Sequence, residues 1–146
     1  MAPSCTLPLV LVIEDDEDLQ NLLLLNLRRA GFVALGARTA GEGLALASRH
    51  RPSVVLLDRM LPGIDGLALC RTLHDDPELG KTPVMLLTAL GTDEDRRAGR
   101  LAGAEAYVSK PFAVGDLLER VRALTLVAHA RRARDSARPP AGGVSG

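Results

Sequence analysis

Three unbroken apolar runs punctuate the chain: Leu9 to Ile13, Val54 to Leu57 and Val84 to Leu87. None alternates with polar residues, as a strand with one wet face does. Each reads as a strand covered on both faces, the pattern of a parallel sheet. Shorter strands at Val33–Ala37 and Ala106–Ser109 bring the set to five. The stretches between them carry helix signals. Glu17 to Ala30 places Arg28 and Arg29 at the negative end of a helix dipole and Gly31 at its stop. Thr39-Ala40-Gly41-Glu42 has the spacing of a capping box and opens a second helix reaching about Arg49, with Pro52 shortly after. A third helix is expected over Gly66 to Asp75. A fourth begins near Thr92, with Asp93, Glu94 and Asp95 in its first turn, and ends before Gly103. A fifth runs from about Val114 to Ala130. Strand and helix therefore alternate five times. This predicts an α/β, flavodoxin-like, doubly wound sandwich with a five-stranded parallel sheet of order 2-1-3-4-5.

On the first helix, Leu19, Leu22, Leu23 and Leu27 form a stripe at helical spacing. Leu24 and Leu25 fall outside it and fit either extra core or a partner surface. Residues 1–6 read as an N-terminal extension and 7–130 as the folded domain. Residues 131–146, rich in Arg, Pro and Gly, read as a flexible tail or linker.

Composition narrows the class. A chain of 146 residues is one domain's worth, and with three aromatic residues its core must be Leu, Val, Ile and Ala. Zero net charge argues against a broad nucleic-acid surface. Cys5 and Cys70 form no CxxC pair and read as reduced thiols of a cytoplasmic protein. No apolar run reaches the ~18–20 residues that span a bilayer, and the basic start of a signal peptide is missing.

The chemistry lies where the strands end. Glu14-Asp15-Asp16 follows the first run, Asp58 the third, Thr88 the fourth and Lys110-Pro111 the fifth. In an open parallel sheet those ends meet along one edge, where ligands bind. Carboxylates gathered there repel, at about 1–4 kcal/mol for each close pair. A hard divalent cation removes that penalty, and Mg²⁺ prefers such oxygen donors. The plainer reading of Glu14-Asp15-Asp16 is that acids at a helix start merely complement its dipole. Asp58 is harder to dismiss. Directly after a buried strand, with Pro62 and Gly63 beyond, it is expected to be exposed at the sheet edge. An ionised Asp can attack phosphorus to form an acyl phosphate. That role needs a cation and a donor for the transferring oxygens, which Lys110 and Thr88 can supply.

The segments Leu-Val-Ile-Glu14-Asp15-Asp16, Asp58-Arg-Met-Leu-Pro62-Gly63, Thr88-Ala89 and Tyr107-Val-Ser-Lys110-Pro111-Phe112, in this order and at these intervals, resemble the receiver domain of two-component response regulators. The resemblance covers roughly residues 7 to 130. It implies that Asp58 accepts a phosphoryl group from a phosphohistidine on a sensor histidine kinase or histidine phosphotransfer protein. It implies that Mg²⁺ is held by Asp15, by Glu14 through water, by Asp58 and by the Met60 backbone carbonyl, with Asp16 ranked below them. Lys110 would pair with Asp58 and then with the phosphoryl oxygens, and the Lys110–Pro111 bond would be cis. Thr88 and Tyr107 match the family's switch pair, which reshapes the surface of the fourth helix, fifth strand and fifth helix. The kinase would dock beside the first helix and the loop after the fifth strand.

One departure concerns that surface. Two acids commonly precede the switch tyrosine in one branch of the family. Here they are Glu105 and Ala106, so Arg120 lacks a cross-dimer partner, although Arg96 and Asp116 could still pair in a homodimer. Met60 and Leu90, two places beyond Asp58 and Thr88, cannot hydrogen-bond an attacking water, which predicts a long-lived phosphoryl bond. A phosphatase resembling haloacid dehalogenases would need a second Asp at position 60. A phosphorylation-independent pseudo-receiver is disfavoured by the intact acids, Thr88 and Lys110. A flavin site would be repelled by the acidic first loop. Output remains open between a stand-alone protein contact and DNA binding or enzymatic action through a domain this chain does not contain.

Overall fold

The computed structural model describes residues 7–137; the expected extension 1–6, and residues 138–146 of the expected tail, lie outside the described residues. The five expected strands form one parallel sheet: β1 (Leu9–Ile13), β2 (Val33–Ala37), β3 (Val54–Asp58), β6 (Val84–Thr88) and β7 (Ala106–Ser109). Their spatial order, β2-β1-β3-β6-β7, is the expected 2-1-3-4-5. The labels differ because two short strands, β4 (Met60–Leu61) and β5 (Ile64–Asp65), pair antiparallel just after β3. Pro62-Gly63 joins them, with Gly63 at φ 78°, a conformation that favours glycine at a tight turn. Strands of two residues are too short to leave a hydrophobic period.

Successive side chains of a strand point to opposite faces, and both faces are covered. Val10, Val12, Val54, Leu56, Met85 and Leu87 pack against α1 (Glu17–Arg29) and α5 (Val114–Ala137). Leu11, Ile13, Val55, Leu57 and Leu86 pack against α2 (Ala40–His50), α3 (Gly66–Asp75) and the end of α4 (Asp93–Leu101). Continuous burial of β1, β3 and β6 is why their sequences run apolar without alternation. Among the described residues no helix is long and apolar enough to cross a membrane. Cys70 is a buried free thiol; Cys5 lies outside the described residues.

Three details correct the sequence reading. The buried face of α1 comprises Gln20, Leu23 and Leu27, flanked by Leu19 and Leu24, whereas Leu22 and Leu25 are exposed. The leucine stripe misled because a polar residue holds a core position. The Gln20 amide nitrogen donates to the Ala37 carbonyl at 2.8 Å and the Glu14 carbonyl at 3.2 Å. It lies against Gly36, where a Cβ would fall 2.7 Å from the Gln20 Cδ. Second, α5 continues past Ala130 to Ala137, so residues 131–137 are helical where a flexible segment was expected. Arg131 donates to the Lys81 carbonyl and pairs with Glu105, Arg132 donates to the Arg51 and Pro52 carbonyls, and Asp135 pairs with Lys81. Composition registers these arginines as solvated charge, while the fold uses them as anchors. Third, Thr39 caps α2 by accepting the Glu42 N–H, but the Glu42 carboxylate accepts from Arg38.

At the start of α3, Gly66 lies against the phosphoacceptor candidate's own backbone. A Cβ there would sit 2.6 Å from the Asp58 carbonyl oxygen and 2.7 Å from Arg59 Cα. Backbone atoms cannot swing aside as a side chain can. Gly66→Ala is expected to cost about 1–3 kcal/mol, measured as a lower urea midpoint at unchanged m-value.

Candidate functional site

The C-terminal ends of β1, β3, β6 and β7 deliver Glu14-Asp15, Asp58, Thr88 and Lys110 to one edge of the sheet. Glu14 is fixed first: its N–H donates to the Ala37 carbonyl at 2.9 Å, and Gln20 holds its carbonyl from the other side. Its carboxylate accepts the Asp16 N–H at 3.1 Å and lies 3.3 Å from the Lys110 ammonium. Lys110 Nζ is also 3.3 Å from Asp58 Oδ2, while Asp58 Oδ1 accepts the Met60 N–H at 2.9 Å. The Lys110–Pro111 peptide is cis. One carboxylate oxygen each from Glu14, Asp15 and Asp58 lies within 4.8 Å of the other two.

Asp58 is not exposed at the sheet edge as its position after β3 suggested. It is 5 % exposed and Glu14 only 1 %, whereas Asp15 is open to solvent. The cover comes from parts remote in sequence, above all Lys110, and from the Met60 amide. Asp16 stays outside the acidic group. It is the N-cap of α1, accepting the Leu19 N–H at 3.1 Å, which is the plain helix-start role.

Burial, followed by the adjoining Asp58 carboxyl, pushes the Glu14 pKa up to about 7. Burial also works against the Lys110 charge, but Glu14 and Asp58 outweigh it and hold the ammonium above its usual pKa. Folding therefore raises the Glu14 pKa, and the metal-free folded chain keeps a proton that the unfolded chain releases. The resulting stabilisation is full below about 4.5 and lost as pH rises through about 7. In EDTA, the urea midpoint is expected to fall between about pH 5 and about pH 8, and Glu14→Gln to flatten that slope. An equal slope in both proteins refutes the assignment.

Thr88 is fully buried, and its Oγ1 accepts the Leu90 N–H at 2.9 Å. The Leu90 carbonyl accepts the Tyr107 O–H at 3.0 Å. One backbone residue thus joins the two expected switch side chains. The Tyr107 ring lies against Gly99, where a Cβ would approach it to 3.1 Å, and Arg96 stands 5.8 Å from the ring centroid. Beside Asp58, the largely buried Arg59 pairs with Asp65, the N-cap of α3, and lies 3.9 Å from Asp95 in the first turn of α4. Sequence reasoning missed Gln20 and the link made by the Leu90 peptide groups, having singled out only the Leu90 side chain. Gln20 left a trace, because it stands three and seven places before the core residues Leu23 and Leu27. The Leu90 link left none, because main-chain groups make it.

The donors suit a hard divalent cation. Three carboxylates gather at one point with too few cationic partners, and all are oxygen ligands of the kind Mg²⁺ takes. The profile of the response regulator receiver domain matches residues 10–122. The chain belongs to the response regulator receiver family. This receiver is 41 % identical over 118 residues to the DNA-binding dual master transcriptional regulator RpaA of Synechocystis, covering 81 % of the chain and 49 % of the relative. It is 39 % identical over 118 residues to the phosphate regulon transcriptional regulatory protein PhoB of Rhizobium meliloti, covering 81 % and 52 %. The receiver spans about half the length of these relatives. Among solved structures it resembles a CheY-like receiver domain protein of Methanospirillum hungatei, with TM-score 0.80, 27 % identity and coverage of 86 % and 99 %. It also resembles the receiver domain of Francisella response regulator 1452, with TM-score 0.76, 30 % identity and coverage of 81 % and 96 %.

Proposed function

We propose that Asp58 accepts a phosphoryl group from a phosphohistidine on a sensor histidine kinase or histidine phosphotransfer protein. The observation that carries this reading is the meeting of Lys110 with both Asp58 and Glu14 at 3.3 Å, beside Asp15. An Asp58 carboxylate oxygen forms the new bond to phosphorus, the bond from phosphorus to the histidine nitrogen breaks, and the imidazole leaves with its electron pair. Lys110 stays on the site and balances charge on the transferring oxygens. Asp15, Asp58, the Met60 carbonyl and, through water, Glu14 would hold Mg²⁺, which when bound offsets negative charge on carboxylates and phosphoryl oxygens. Incubation with acetyl phosphate and Mg²⁺ is expected to add one phosphoryl mass per chain; no gain would sink the proposal.

The phosphoryl group offers new acceptors to the Thr88 hydroxyl. Moving toward them costs Thr88 its bond to the Leu90 N–H, and Leu90 in turn holds Tyr107. The switch thus runs from Asp58 through Thr88 and Leu90 to Tyr107 and the surface of α4, β7 and α5. Output passes to a protein partner, or to DNA through a further domain, as the description of RpaA as DNA-binding suggests. The cytoplasm is the expected location.

Exposed Met60 and Leu90 leave an attacking water without a hydrogen-bonding side chain. Met60→Asn combined with Leu90→Gln is expected to speed phosphoryl loss about tenfold, the worth of one hydrogen bond of about 1.4 kcal/mol. Decay of intact mass over time measures it, and an unchanged half-life refutes the idea.

A further inference from the structure

We infer that Arg59 is a latch for the switched state: once Asp58 carries a phosphoryl group, the Arg59 guanidinium closes on Asp95 and fixes the first turn of α4. The inference rests on the switch reading above and adds a positioning residue to it, next in the chain to the acceptor. The Arg59 main chain is held on two sides. Its N–H donates to the Leu87 carbonyl at 2.8 Å, and its carbonyl accepts the Gly66 N–H at 2.9 Å, which ties it to β6 and to the start of α3. Its side chain is 14 % exposed and stands between two acids. One arm is made, to Asp65, the N-cap of α3. The other is not: Nη2 lies 3.9 Å from Asp95 Oδ1, beyond hydrogen-bond reach. Nε is buried and bonds to nothing among the described residues. Asp95 is in a matching condition. Its N–H serves the Thr92 cap, while its carboxylate, 18 % exposed, has the distant Arg59 as its one ion-pair partner among the described residues.

A buried donor without a partner is costly, and so is a mostly buried carboxylate without a close one. A shift of about 1 Å that brings Asp95 onto the guanidinium removes both deficits through a charge-assisted pair, the stronger kind of hydrogen bond. With the Arg59 main chain tied, the part left to move is α4. The loop leading to it has two tethers: the Leu90 N–H on Thr88 and the Leu90 carbonyl on Tyr107. The N-cap of α4, Thr92, follows two places later. When Thr88 turns to the phosphoryl oxygens the first tether is lost, and the start of α4 settles onto Arg59. The resting fold therefore holds the latch open, and the switched fold closes it. By linkage, a closed latch tightens the hold on the phosphoryl group by the same factor.

The test is a double-mutant cycle of Arg59→Gln and Asp95→Asn on the full chain. Beryllofluoride with Mg²⁺ stands in for the phosphoryl group, and its affinity is read from the rise of the thermal midpoint with its concentration. Each single variant is expected to bind it about tenfold more weakly, and the double variant no more weakly than either single one. In EDTA, with the latch open, the effects of the two substitutions on the urea midpoint are expected to add. A pair that serves only the resting fold would couple there instead. Beryllofluoride affinity unchanged in Arg59→Gln, losses that add in the double variant, or coupling confined to EDTA would each overturn the inference. Acetyl phosphate separates the two readings. If the parent gains phosphoryl mass, any of these results sinks the latch alone; if it gains none, the phosphoacceptor reading fails and the latch with it.

Discussion

Asp58→Asn is expected to take up no phosphoryl group: after acetyl phosphate and Mg²⁺ its mass stays that of the unmodified chain. The change is nearly isosteric, and the amide oxygen can still accept the Met60 N–H that holds Oδ1 at 2.9 Å. What disappears is the nucleophile, because an amide has no carboxylate lone pair to offer phosphorus. Stability should not fall with activity. Burial is the larger cause of the Glu14 pKa of about 7, and removing the Asp58 charge takes away a lesser one, the neighbouring carboxylate. The expected signature is therefore complete loss of labelling with an undiminished urea midpoint at neutral pH in EDTA. Labelling of the variant to the parent's extent would place the acceptor elsewhere, with Asp15 the first suspect.

Lys110→Met is expected to slow phosphoryl uptake by about 10²–10³, the usual cost of removing one aligned group from a site of developing charge. The side chain is only 26 % exposed, and its ammonium serves both Glu14 and Asp58. Methionine keeps much of the stem's volume, so lost packing contributes little. In EDTA the variant should also be less stable at neutral pH, because two buried carboxylates then face each other without a cation. Initial rates of mass gain and urea midpoints separate the two effects. A slower rate with unchanged stability limits Lys110 to the reaction, and an unchanged rate removes it from the mechanism.

The convergence of the site was legible because a parallel sheet collects the C-terminal ends of its strands along one edge, and four of those ends carried unusual residues. Glu14, Asp15, Asp58, Thr88 and Lys110 announced themselves by position after apolar runs. The burial of Asp58 was not legible, because its cover is Lys110, far along the chain, and a backbone amide. The face of α1 was misread since Gln20, polar by type, is satisfied by two carbonyls and so sits inside. The end of α5 was misread for a related reason. Arg131 and Arg132 look like linker residues until their carbonyl partners on loops remote in sequence are known. For Gln20, Arg131 and Arg132 the deciding partners include main-chain carbonyls, which every residue carries and no sequence pattern displays.

Leu90 has a consequence for how such a protein diverges. Its amide and carbonyl connect Thr88 to Tyr107, while its side chain stands exposed. On the proposed reading, the timer and the wire share one residue but use different atoms. Mutation at this codon can lengthen or shorten a signal's duration without rerouting the message.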